Sequence, residues 1–139
     1  MVSPARTVTY TVTPHDSVRG IALSPEFHQH KPDVMASARL VAVCEWPCMD
    51  LLRERLEPHE CSLGAWQHIR HTAPIPIGAR LLIAASCTSL GRSYSEWQVD
   101  VRDEHEQVGT ARLGFVTVDQ ADFELRRLRA KLPSAAPSA

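Results

Sequence analysis

VMASARLVAVCEWPCMDLLRERL, residues 34 to 56, is the stretch whose reading decides the fold. It contains no glycine, and Val34, Ala38, Val41, Glu45, Cys48 and Leu52 recur at helical spacing, which predicts one long amphipathic helix. Two residues break that pattern. Glu45 puts a carboxylate on the apolar stripe, and Pro47 removes a backbone donor and crowds the preceding turn, predicting a kink beside the glutamate.

Toward the N-terminus, residues 7–13 read TVTYTVT, with Val8, Tyr10 and Val12 on one face and threonines on the other. That alternation predicts a strand. Pro14 ends it, and Asp16 is expected to cap a short helical turn over Ser17 to Ala22 before Ser24-Pro25 breaks the chain direction. Glu26 to Asp33, polar and bearing His28, His30 and Lys31, reads as a loop or lid.

Beyond the helix the hydrophobic period falls to two, and strands are expected near Leu63–Thr72, Gly78–Leu90, Ser93–Arg102 and Gln107–Val118. In the first of them Ala65, Gln67, Ile69 and His71 share one face, while Trp66, His68 and Arg70 share the other. In the third, Trp97, Val99 and Val101 alternate with Gln98, Asp100 and Arg102, as a half-buried antiparallel strand requires. Asp119 to about Leu132 reads as a last helix ending in Arg126, Arg127, Arg129 and Lys131, and residues 133–139, PSAAPSA, as a disordered tail.

One strand, one long helix and four more strands describe an α+β domain over residues 1–132, a curved antiparallel sheet wrapped around one central helix. The hot-dog fold is the named architecture with this order. A small curled sheet leaves edge strands open, and pairing them across a two-fold axis predicts a homodimer.

The chain's 139 residues suit a single domain, too small for separate cofactor and substrate units. Its net charge of −1 argues against a broad nucleic-acid-binding surface. No apolar run is long enough to cross a bilayer and the first residues hold no apolar core of a secretion signal, so a cytoplasmic protein without membrane partners is expected. Cys44, Cys48, Cys61 and Cys87 are then expected as reduced thiols. Neither a glycine-rich phosphate loop nor a dinucleotide fingerprint occurs, and no resident cofactor is expected.

Glu45 is the first candidate for chemistry, because a carboxylate on a buried stripe must be paired, protonated or reactive, and desolvation raises its pKa toward that of a useful base. The alternative is a glutamate turned to solvent at the helix edge. His71, on an inward strand face before the rigid Thr72-Ala73-Pro74 segment, is the second; histidine exchanges protons near neutral pH. It could equally be a core histidine bonded to a carbonyl. Ser37 offers a hydroxyl near the helix start, where serine is also a common cap. Eight residues separate it from Glu45, about 12 Å of helix, too far for direct contact. Cys44, Cys48, His59 and Cys61 form a competing zinc-type group, though without the C-x-x-C knuckle of structural zinc sites. The basic C-terminal cluster could meet phosphates, but cations there also complement the helix dipole.

SPEF at Ser24–Phe27, CEWPC at Cys44–Cys48, LEPHECSLG at Leu56–Gly64 and HTAPIPIG at His71–Gly78 resemble the fluoroacetyl-CoA thioesterase family of hot-dog proteins. The resemblance runs from Thr9 to Leu132. It implies that Glu45 is the catalytic glutamate, His71 the catalytic histidine, and Ser37 the counterpart of a catalytic threonine. Gly64 would lie at the acyl end of the substrate, where a bare backbone N–H can approach a carbonyl. The family's arginine on the last strand falls at Leu113 in this chain, with Arg112 one place earlier and on the opposite face unless a bulge intervenes. Arg112 is carried forward as a substrate-binding candidate on that condition.

The resemblance implies hydrolysis of a small acyl thioester, on coenzyme A or a carrier protein, to a carboxylate and a free thiol, with coenzyme A present only as part of the substrate. The polar His28-Gln29-His30-Lys31 segment replaces an apolar lid, so fluoroacetyl selectivity is not implied. Two other functions fit the same frame: an acyl-thioester-binding or sequestering protein without turnover, and a hot-dog hydratase or dehydratase.

Overall fold

The computed structural model describes residues 3–134. The five strands form where the sequence alternates: β1 Ala5–Thr11, β2 Glu60–His71, β3 Arg80–Leu90, β4 Tyr94–Arg102 and β5 Gln107–Asp119. They make one antiparallel sheet in the order β1-β3-β4-β5-β2, with β1 and β2 at its edges. Helices α1 Pro25–His28 and α2 Ser37–Arg53 lie between β1 and β2, and α3 Gln120–Phe123 follows β5.

Every second residue of the central strands faces α2. Leu81, Ile83 and Ala85 of β3, Trp97, Val99 and Val101 of β4, and Ala111, Leu113 and Phe115 of β5 are buried against Leu40, Val43, Cys44, Cys48, Leu51 and Leu52 of the helix. Each such side chain contributes on the order of 2 kcal/mol by leaving water. The result is the α+β hot-dog arrangement that the order of elements predicts. Among the described residues, no helix is long and apolar enough to cross a membrane.

Four details differ from the sequence reading. The helix begins at Ser37 rather than Val34, because Val34 and Met35 are drawn into bridges with Pro76 and Ser17. Its buried stripe is Leu40, Val43, Cys44, Pro47, Cys48, Leu51 and Leu52. That is rotated from the expected one, so Ala38 is exposed and Glu45 lies half-buried at the margin. Asp16 does not cap a following helix; it closes the turn Pro14–Asp16 back onto Thr13, and Ser17 caps the turn Val18–Gly20 through Arg19 N–H. Finally, the C-terminal stretch is not one even helix. After α3, the chain widens to π-type winding over Glu124–Leu128 and tightens to a 3-10 turn at Arg129–Lys131. Of the expected tail, residues 135–139 lie outside the described residues.

Candidate active site

The start of α2 is fixed by a residue far from it in sequence. Ala36 N–H donates to the Asp16 carbonyl at 2.9 Å. The Asp16 carboxylate, 0% exposed, accepts from Arg39 Nε at 2.8 Å, Tyr10 Oη at 2.6 Å, Thr13 N–H at 2.8 Å and Thr13 Oγ1 at 3.1 Å. Burial alone would disfavour its charge, but the bonds from Tyr10, Thr13 and Arg39 outweigh burial and hold the pKa at about 2. Helix and first strand are thereby tied together beside Ser37.

Ser37 Oγ then stands 3.1 Å from Nδ1 of His71, the last residue of β2. The other ring nitrogen, Nε2, is buried and has no hydrogen-bond partner among the described residues. A second proton on that ring would sit unsolvated, and burial accordingly lowers the His71 pKa. The ring's tautomer sets which of Ser37 Oγ and His71 Nδ1 donates the hydrogen between them.

A second cluster lies further along the seam where α2 packs on β2. Glu45 is half-buried, and burial raises its pKa, opposed by a hydrogen bond from the Gln67 side chain. Both groups crowd over Gly64. A Cβ built there would be 2.9 Å from Glu45 Oε2 and 2.9 Å from Gln67 Nε2. A β-bulge makes the arrangement possible. Gly64 pairs with Phe115, Trp66 with Gly114 and Gln67 with Leu113, leaving Ala65 as the extra residue. Gly64 and Gln67, three apart, therefore share the inward face, opposite the buried Phe115 and Leu113. On the outer face Trp66 covers Gly114 and donates from Nε1 to Tyr94 Oη at 2.7 Å.

Of the sequence candidates, Ser37 and His71 meet, and Glu45 and Gly64 meet. The two pairs are separated by about 12 Å along the helix, from Ser37 to Glu45, and about 23 Å along the strand, from His71 to Gly64. Arg112 joins neither. No bulge interrupts β5 there, so Arg112 is exposed on the outer face between His68 and Gln98, while Leu113 points inward. The condition under which it would reach the substrate is not met.

The zinc-type group also disperses. Cys44 and Cys48 are buried in the core, where desolvation pushes the Cys44 thiol up to about 12 and raises that of Cys48 as well. Among the described residues, no three His, Cys, Asp or Glu side chains are grouped to hold a metal ion. Two residues that shape this region have no part in it by sequence alone: alternation puts Gln67 on the inward face without a role, and Asp16 reads as a local cap. The alternation of β2 held the signal for the first; nothing local held one for the second.

A separate cavity of about 440 Å³ opens beyond the end of α2, lined by Leu52, Arg55, His59, Arg92 and Ser95 among others. It lies at the opposite end of the helix from Ser37. The Glu45 cleft, by contrast, is open at the sheet edge, with Gly64, Ala65 and Gln67 all exposed.

Residues 12–121 match the family model described as fluoroacetyl-CoA-specific thioesterase. The fluoroacetyl-CoA thioesterase of Streptantibioticus cattleyicolor is 31% identical over 130 residues, covering 93% of this chain and 89% of that protein. The solved structure of the fluoroacetyl-CoA thioesterase FlK superposes with a TM-score of 0.89 at 30% identity, covering 96% of this chain and 98% of the other. A hot-dog-like protein from Thermanaerovibrio acidaminovorans, at 17% identity and TM-score 0.79 over 96% of this chain and 94% of that one, shares the fold.

Proposed function

The chain belongs to the fluoroacetyl-CoA-specific thioesterase family, and from that premise we propose that it is a cytoplasmic, homodimeric thioesterase cleaving a small acyl-CoA. The observation that carries the reading is the half-buried carboxylate with a raised pKa, held over a glycine backbone on the same α2–β2 seam as the Ser37–His71 pair.

In the reaction, the thioester C–S bond breaks and a C–O bond forms. Glu45 either adds to the carbonyl, giving an anhydride that water then opens, or takes a proton from the water that attacks. Gly64 N–H stabilises the oxyanion as it develops, which a side chain at that position would obstruct. His71, neutral near pH 7, exchanges a proton with Ser37 and supplies one to the departing thiolate. The products are a carboxylate and free coenzyme A, and no other cofactor takes part.

Edge strand β2 supports the dimer. Its open backbone groups invite an antiparallel copy of themselves, and such pairing runs the two strands in opposite directions. The His71 end of one copy is then brought toward the Gly64 region of the other. That would close the separation between the two clusters and cover the exposed cleft. Fluoroacetyl selectivity is not part of the proposal: α1 and the following polar segment carry an exposed Lys31–Glu26 ion pair of 2.7 Å where an apolar lid would be needed.

The test is thiol release from a panel of short, aromatic and branched acyl-CoAs, with identification of the acid. The expected result is turnover of at least one thioester, reduced about 10²-fold or more in a folded His71→Ala variant. Tight binding with no thiol release would point to a sequestering protein, and hydration of the acyl chain with the thioester intact to a hydratase. Either result contradicts the proposal.

A further inference from the structure

A base that must take a proton at one atom has to be held there, and the Gln67 side chain is placed to hold Glu45. The Gln67 amide nitrogen and the Glu45 carboxylate oxygen Oε2 converge on the same point, each 2.9 Å from where a Gly64 side chain would begin. The bulge at Ala65 brings Gly64 onto the inward face that Gln67 already occupies, and the residue opposite Gln67 on β5 is the fully buried, apolar Leu113.

We propose that Gln67 is the positioning residue of this site, its side-chain amide orienting the Glu45 carboxylate over Gly64. The inference rests on Glu45 being the reactive carboxylate.

The chemistry favours an amide for the task. A carboxylate accepts only, so the Gln67 group facing it must be the NH₂ end, which has two donors: one serves Glu45 and one remains for the space above Gly64. A guanidinium at the same place would also orient the carboxylate, but its charge would pull the pKa down and weaken the base. A neutral amide opposes the effect of burial only in part, and the Glu45 pKa stays raised. The ionisable groups that sense Glu45 from its own helix are the thiols of Cys44 and Cys48, both kept neutral by burial. From β5 the facing residues are Leu113 and Phe115, neither of which titrates. On β2 the next inward ionisable group is His71, about 13 Å away.

The experiment is a carbon-13 NMR titration of the Glu45 carboxyl in the full chain and in Gln67→Met, which keeps the side-chain length and removes the donor. The Glu45 signal is identified by its loss in Glu45→Gln. Gln67 is exposed, so the substitution leaves the core intact. The Glu45 midpoint is expected to rise by about one pH unit in Gln67→Met. In thiol release, the same variant is expected to lose about tenfold in kcat with KM nearly unchanged, the signature of an interaction used in the transition state. An unchanged Glu45 midpoint would overturn the inference, whether or not the parent turns over any thioester. Absence of thiol release by the parent, with the midpoint shift present, would overturn the functional reading and leave the Gln67 contact standing.

Discussion

Two carboxylates flank α2, and they are treated in opposite ways. Asp16 is completely buried but accepts four hydrogen bonds, one from a guanidinium, and is held ionised with a pKa of about 2. Glu45 is only half-buried, yet its neighbour is a single neutral amide and its pKa is raised. Exposure therefore does not rank the two; the count and charge of donors does. The saturated carboxylate fixes the start of the helix, and the undersupplied one keeps the raised pKa that the proposed base requires.

The sharpest way to break this contrast is to neutralise each group in turn. Glu45→Gln cannot accept a proton and is expected to lose about 10³-fold or more in thiol release. Its melting temperature is expected not to fall below the parent's, and to rise slightly at neutral pH as the cost of ionising Glu45 is removed. Asp16→Asn should do the reverse in its main effect, costing about 3 kcal/mol of stability as the buried pair with Arg39 is lost. Thermal and urea unfolding of both variants checks the division. Stability loss in the first, or its absence in the second, would erase the distinction.

A smaller effect comes with pH. The folded pKa of Asp16 lies near 2, below its ordinary 3.8, so its contribution is complete above about pH 4 and disappears as pH falls through 2. The amount is about 2 kcal/mol, measurable by urea unfolding at pH 5, 3 and 2, and it should be missing from Asp16→Asn. Glu45 works with the opposite sign. Because its folded pKa is raised, ionising it costs stability as pH climbs past its ordinary 4.5, and Glu45→Gln should remove that cost.

The same two residues mark what the sequence could reveal. Strands β3, β4 and β5 follow directly from alternation, since Ile83, Trp97, Val99 and Leu113 each lie on the face that periodicity assigns. The long helix was legible from its composition, but not its first residue, because Asp16 and Ile75 capture the preceding backbone from distant parts of the chain. The helical stripe was read about one position out of phase, which placed Glu45 nearer the core than it is. Ser37 beside His71 and Glu45 beside Gly64 were approached through family resemblance rather than spacing. Gln67 lies on the inward face that alternation assigns, but its meeting with Gly64 was not legible, because a bulge has no local signature in LGAWQ and it is the bulge that brings Gly64 onto that face. Arg112 stays on the outer face for the complementary reason: β5 has no bulge there to turn it inward.

The most direct test is a carboxyl titration of the unmodified protein by carbon-13 NMR, following both signals in one sample. Glu45 is predicted to titrate above 4.5 and Asp16 near 2. A Glu45 midpoint at or below 4.5, level with an ordinary solvated glutamate, would contradict the assignment of reactivity to that side chain.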